Sequence, residues 1–254
     1  LDDASIKCIF CARGGYGVVR IIDALDFTLF KKHPKWITGF SDISVLHAHL
    51  QAVCKTASIH SKMCSSFPDN WDEADEERKA TILSIKEALT GTAMQYFAPP
   101  HSSNKIGTAK GILLGGNLRT LESLAGSKSA LPLKNALLFI EDVGEYRYNI
   151  DRILRAWYRN GILAELKGLI VGGFDMKEDL PDEAFGSEIT DIVTAVTKNY
   201  DYPICFNFPV GHQKNNYALK CGMPHQLIVS NNGSILKETN ATAWQTVQKP
   251  SINL

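Results

Sequence analysis

Short apolar runs alternate with segments of helical spacing through the N-terminal part of the chain. Ile6-Lys7-Cys8-Ile9-Phe10 reads as a first strand, followed by the glycine turn Arg13-Gly14-Gly15-Tyr16-Gly17 and a helix from about Val18 to Leu25. A strand over Trp36 to Phe40 leads into a helix from Asp42 to Val53, with apolar positions at Ile43, Leu46, Leu50 and Val53. A further strand falls around Ala57 to His60, and a third helix covers Glu73 to Leu89. Alternating βα units predict a parallel sheet with helices on its faces.

From about Gly91 to Lys110 the pattern dissolves into Gly, Thr, Pro, Ser and Asn, including Pro99-Pro100, which marks the expected domain boundary. The division is an N-terminal α/β domain over 1–98, a linker over 99–110 and a β-rich C-terminal domain over 111–254. In the second part, Gly111 to Leu114 reads as a strand, and a glycine-asparagine turn precedes a helix over Leu118 to Leu124. The strand Ala136 to Ile140 ends in Glu141-Asp142, and an amphipathic helix runs from about Ile150 to Asn160, stopped by Gly161. Leu169 to Gly173 is another strand, Phe208-Pro209-Val210-Gly211-His212 opens a late loop, and Gln226 to Glu238 reads as a hairpin turned at Asn231-Asn232-Gly233. The expected fold class is α/β with a parallel sheet first and a β-rich α+β part second.

Composition narrows the partners. With 254 residues, 44% hydrophobic and 21% charged, the chain has ample material for a core. Lys plus Arg equals Asp plus Glu at 27 each, which gives no support for a nucleic-acid or anionic-membrane partner. No apolar run approaches the roughly 20 residues that span a bilayer. The six cysteines are scattered, a usage that suits a reducing compartment. Cys8-x-x-Cys11 lacks a second pair to complete a zinc site, so no metal is expected. The chain opens on Leu1 and runs straight into a strand pattern, which reads as the interior of a longer chain.

Candidate chemistry gathers at the ends of strands. Ser41 falls on a strand-to-helix turn, where its hydroxyl is lifted off the sheet edge near the positive end of a helix. A serine there also reads as an ordinary N-cap, and spacing alone leaves both roles open. Among the seven histidines, His47 and His49 lie two apart on one helix and do not share a face. His212 instead sits in a loop after a strand, placed either at a cleft or merely in solvent. Glu141 and Asp142 stand at the lip of a sheet, with Glu145 in the turn beyond; acids near the next helix also suit its dipole. The Gly14-Gly15-Tyr16-Gly17 turn lacks the GxGxxG spacing of a dinucleotide site, yet offers unobstructed N–H groups to an oxyanion. Arg13 beside it is suited to a substrate carboxylate or to a protein acid.

The stretches Cys11-Ala12-Arg13-Gly14-Gly15-Tyr16-Gly17, Gly39-Phe40-Ser41-Asp42-Ile43-Ser44 and Gly115-Gly116-Asn117-Leu118 are followed by three more. These are Phe139-Ile140-Glu141-Asp142-Val143-Gly144-Glu145, Tyr148-Asn149-Ile150-Asp151-Arg152 and Pro209-Val210-Gly211-His212. In content and order the set resembles the LD-carboxypeptidase family, which includes the microcin self-immunity peptidases. The resemblance implies a serine peptidase with Ser41 as nucleophile, His212 as general base and Glu141 as the acid that orients it, Glu145 being the alternative acid. It implies an oxyanion hole from the N–H groups of Gly15 and Asp42, and substrate contacts from Arg13, Asn117 and Glu145. It further implies a cofactor-free cytoplasmic homodimer that removes terminal D-alanine from murein tetrapeptides during wall recycling. A microcin-immunity-type peptidase cleaving a peptidyl-nucleotide amide, or an inactive wall-peptide-binding protein, are the alternatives.

Two departures stand out. The family carries a further segment before the point where this chain begins, with the first strands of the N-terminal sheet. Its usual His-Gly-Pro-Met is here His60-Ser61-Lys62-Met63, which adds bulk and a charge where a substrate subsite is in question.

Overall fold

The computed structural model of the chain describes residues 1–179, 182, 184–239 and 249–250. Its first sheet has four strands. The strands β1 (Cys8–Phe10), β2 (Trp36–Gly39) and β3 (Ser58–His60) are parallel, as the βα alternation predicts. Every residue of β2 is buried, as befits a central strand covered on both faces. Between these strands run α1 (Val18–Ile21), α2 (Thr28–Lys32) and α3 (Ser44–His49). A tight turn over Ser41–Ile43 precedes α3 and a wider one over Leu50–Cys54 follows it, so the expected helix from Asp42 to Val53 is one helical segment with irregular ends. The next helix, α4 (Glu76–Leu89), starts three residues later than the pattern indicates because Asp75 caps it, accepting from the Arg78 N–H at 2.9 Å.

The span read as patternless is corrected by β4 (Gln95–Ala98) and by the start of β5 (Gly107–Asn117). An edge strand and a half-exposed strand need no apolar run, which is why periodicity missed both. With α5 (Leu118–Glu122), β6 (Ala136–Val143), α6 (Arg147–Arg159) and β7 (Gly168–Asp175) the chain builds a parallel set, β5-β6-β7. Further elements that the sequence pattern does not indicate include α7 (Ile189–Thr197) and β8 (Ile204–Cys205), the latter parallel to β7. The strand β9 (Leu219–Cys221) returns to the first sheet and pairs antiparallel with β3, so C-terminal residues complete the N-terminal sheet. The predicted hairpin is β10 (Pro224–Ser230) and β11 (Gly233–Glu238), closed at Ser230 and Gly233 around Asn231-Asn232. The second sheet is thus seven-stranded, in the order β4-β11-β10-β5-β6-β7-β8.

The packing of β6 fixes where its last residues point. Leu138 and Ile140 enter the core shared with Ile37, Ile43, Leu118 and Trp157, whereas Leu137 and Phe139 enter a second core with Leu113, Ile170 and Leu227. Successive strand residues face opposite sides, so Glu141 continues the Phe139 face and Asp142 the Ile140 face.

Candidate active site

Ser41 follows β2 after one residue, Phe40, and adopts φ 63°, a left-handed backbone that a non-glycine residue rarely accepts. Its hydroxyl caps nothing and makes no hydrogen bond with the described residues; the helical segment is instead entered from Phe40. Three contacts hold this strained turn. His47 Nε2 donates to the Gly39 carbonyl at 2.9 Å. The Asp42 carboxylate accepts from the Val18 N–H at 3.0 Å, tying the glycine turn to the serine turn. Gly14 lies against the serine: a Cβ there would come within 3.0 Å of Ser41 Cβ and 3.1 Å of its Oγ. Next to it, Gly15 has φ 133° and an N–H that meets no protein acceptor among the described residues.

Glu141 and His212 meet at the end of β6. His212 Nδ1 donates to Glu141 Oε2 at 2.5 Å, with the carboxylate wholly buried. Gly211 makes the approach possible, since at φ 101° it needs no side chain and a Cβ would collide with Glu141. The loop is held by its own side chains: Asn216 Oδ1 accepts from the Gly211 N–H at 2.8 Å, and Gln213 Nε2 donates to the Phe208 and Val210 carbonyls. Burial, the largest influence on Glu141, pushes its pKa upward, but the imidazoles of His212 and His60 outweigh it and hold the carboxyl below its ordinary range. An ionised Glu141 fixes the proton on Nδ1 and leaves the Nε2 lone pair as the basic site. The serine turn and this pair are adjacent, because the Phe40 ring packs on the His212 ring with centroids 4.7 Å apart.

His60 joins the site without any local sequence pattern that assigns it a role there. It stands at the carboxyl end of β3, wholly buried, with Nε2 3.8 Å from Glu141 Oε1, and its ring lies edge-on to Phe139. Its position at the end of a parallel strand next to β2 is the signal that marks it.

The remaining expected residues separate. Asn117 is not open to substrate: it caps α5, its Oδ1 accepting from the Thr120 N–H at 2.9 Å and its Nδ2 donating to Asp142 Oδ1 at 2.8 Å. Its own N–H donates to Ser44 Oγ at 3.1 Å, which docks α3 on the end of β5. Asp142 faces away from His212 and accepts from the Arg119 and Val143 N–H groups; burial raises its pKa to about 6 despite these bonds. Glu145 does not reach His212. It accepts from Asn149 Nδ2 at 2.8 Å and lines a cavity of about 380 Å³ with Arg119 and Arg152. Arg13 is exposed on the glycine turn.

Comparison with known proteins finds relatives over most of the chain. Residues 1–61 match the model of the LD-carboxypeptidase N-terminal domain, and residues 110–227 that of the LD-carboxypeptidase C-terminal domain. A probable murein peptide carboxypeptidase of Bacillus subtilis is 34% identical over 87% of this chain and 68% of its own length. The crystal structure of muramoyltetrapeptide carboxypeptidase from Oxalobacter formigenes superposes with a TM-score of 0.82 at 25% identity, covering 94% of this chain and 80% of that one. The microcin C7 self immunity protein MccF shares the fold, with a TM-score of 0.79 at 20% identity over 95% of this chain and 78% of its own. The chain belongs to the LD-carboxypeptidase family.

Proposed function

We propose that this chain is a serine carboxypeptidase that hydrolyses the L,D-peptide bond before the terminal D-alanine of murein tetrapeptides. The observation that carries the reading is the Glu141–His212 pair, 2.5 Å apart with its carboxylate buried, beside a serine held at φ 63° with its hydroxyl free of any cap. His212 Nε2 takes the Ser41 hydroxyl proton as Oγ attacks the scissile carbonyl carbon, and the carbonyl π electrons move to oxygen. The resulting oxyanion is met by backbone N–H groups of Gly15 and Asp42. Collapse restores the carbonyl and breaks the C–N bond, and the proton on His212 passes to the departing D-alanine nitrogen. Water, deprotonated by His212, then frees the peptide from Ser41.

Glu141 holds the imidazole in the required tautomer and compensates the charge it gains. The setting we propose is wall-peptide recycling in the cytoplasm, by a homodimer. Among the described residues no helix is long and apolar enough to cross a membrane. The microcin-immunity-type reading gains no support from a nucleobase clamp at Trp157, which is buried against the helices of the core. The test is release of free D-alanine from a murein tetrapeptide. Wild type is expected to release it and Ser41→Ala to lose that release; full activity in Ser41→Ala overturns the mechanism.

A further inference from the structure

An exopeptidase must recognise a chain end, which for this reading is the carboxylate attached to the carbon beside the nitrogen that His212 protonates. A cation close to the His212 loop would meet that need. Lys62, one of the two residues at which this chain departs from the His-Gly-Pro-Met pattern, is half-buried there. Its Nζ donates to the Gln213 carbonyl at 2.7 Å and lies 5.5 Å from the centroid of the Phe40 ring, which in turn packs on His212. A single aromatic ring thus separates the ammonium group from the imidazole.

Lys62 shares a cavity of about 340 Å³ with Arg78 of α4, also half-buried. The Arg78 guanidinium donates through Nε and Nη2 to the Ser66 carbonyl, a neutral partner. Asp75 and Lys214 line the same cavity, but Asp75 and Glu77 pair with Lys214 at 3.3 and 3.4 Å, and Asp75 also caps α4. Among the described residues, neither Lys62 nor Arg78 forms an ion pair with a protein carboxylate. Cations drawn partly out of water without a directly paired carboxylate are costly, and they gain from an anion delivered into the cavity. Burial lowers the Lys62 pKa, countered by Glu141 at longer range and reinforced by Arg78.

We infer that this cavity is the subsite for the terminal carboxylate of the peptide, with Lys62 as its principal partner and Arg78 as its second. The inference rests on the carboxypeptidase reading above. It turns the sequence departure at Ser61-Lys62 from an obstruction into a determinant of specificity.

The experiment compares a murein tetrapeptide with its C-terminal carboxamide. Wild type is expected to favour the free acid. Lys62→Met raises KM for the acid about ten- to a hundred-fold, the worth of a charged hydrogen bond, with little change for the amide. Arg78→Gln shifts the same ratio by less, and Lys62→Arg retains it. If Lys62 served only to hold the His212 loop, both substrates would lose kcat together and the acid-to-amide ratio would stay at its wild-type value, which overturns the subsite. Thermal melts identify a variant that fails to fold, and the ratio in Arg78→Gln then decides. No D-alanine release by wild type overturns the functional reading and this inference with it. Release with a ratio indifferent to both variants removes the subsite alone.

Discussion

Two parallel strands run out into helices through a polar residue, β2 at Ser41 and β5 at Asn117, and the junctions are built in opposite ways. Asn117 has an ordinary backbone, φ −65°, and commits its side chain to the Thr120 N–H and to Asp142. Ser41 is left-handed and commits its hydroxyl to nothing among the described residues. The cap satisfies helix donors and stabilises the fold. At the strained turn, Gly39, Asp42 and Gly14 hold the backbone while the side chain stays available. Serine and asparagine are both favoured N-caps, so residue type does not separate the two junctions, whereas backbone angle and hydrogen-bond inventory do.

The largest effect that tests this contrast is on turnover. Ser41→Ala is expected to lower kcat for D-alanine release by at least ~10⁴-fold with little change in stability. Asn117→Ala should do the reverse, lowering stability by about 1–2 kcal/mol through the lost cap while kcat changes by less than about ten-fold. Steady-state kinetics and urea unfolding on both variants measure the pair. A collapse of kcat in Asn117→Ala at unchanged stability would make Asn117 a substrate-binding residue after all and dissolve the contrast.

The same opposition holds one residue apart on β6. Glu141→Gln keeps the shape but lets Nδ1 lose its ionised partner, and is expected to reduce kcat by on the order of 10⁴-fold. Asp142→Asn, on the other face, should leave kcat within a few-fold of wild type. Equal losses in the two variants would mean that both carboxylates act on His212, which the facing of the strand forbids.

Much of this was legible in the sequence. The parallel βα pattern placed β2, α3 and β6, and with them Ser41 and Glu141 at strand ends. The roles proposed for Ser41, Glu141 and His212 rest on the resemblance of the ordered motifs, because spacing leaves Ser41 as cap or nucleophile. What stayed hidden depends on long-range pairing. Tyr96 and Phe97 sit on an edge strand with one face exposed, and their partners in β11 lie far along the chain. Leu219–Cys221 is too short to stand out, yet it crosses to pair with β3. His60 and Lys62 gain meaning only once β3 is set beside β2 and the His212 loop arrives, an arrangement that no local periodicity encodes.

Acid should weaken one junction and strengthen the other. His47, which braces the Ser41 turn, is buried and its pKa falls from 6.5 to about 3, with burial as the main cause. Between those values the unfolded chain binds a proton that the folded chain refuses, so stability falls as pH drops. Asp142, which braces the Asn117 cap, has the opposite sign: its pKa rises from 3.8 to about 6, so the folded chain takes the proton first and acidification stabilises it. From pH 6.5 to 5 the loss and the gain are each on the order of 1–2 kcal/mol. Urea midpoints at the two pH values should show His47→Gln losing less than wild type and Asp142→Asn losing more. Identical pH slopes in all three proteins would remove both assignments.

The smallest effect isolates the strain itself. A left-handed residue costs about 1–2 kcal/mol relative to its relaxed backbone, a penalty that glycine escapes. Glycine also loses more chain entropy on folding, by about 0.5–1 kcal/mol. Ser41→Gly should therefore leave the fold as stable as wild type or stabilise it by up to ~1 kcal/mol, while D-alanine release is lost with the hydroxyl. At Asn117, where φ is already negative, the same substitution relieves no strain and removes the bond to Asp142, so Asn117→Gly is expected only to destabilise. Differential scanning calorimetry on the two glycine variants reads the sign directly. A loss of stability in Ser41→Gly as large as in Asn117→Gly would mean that the serine turn holds no strain, and that the free hydroxyl owes nothing to its left-handed backbone.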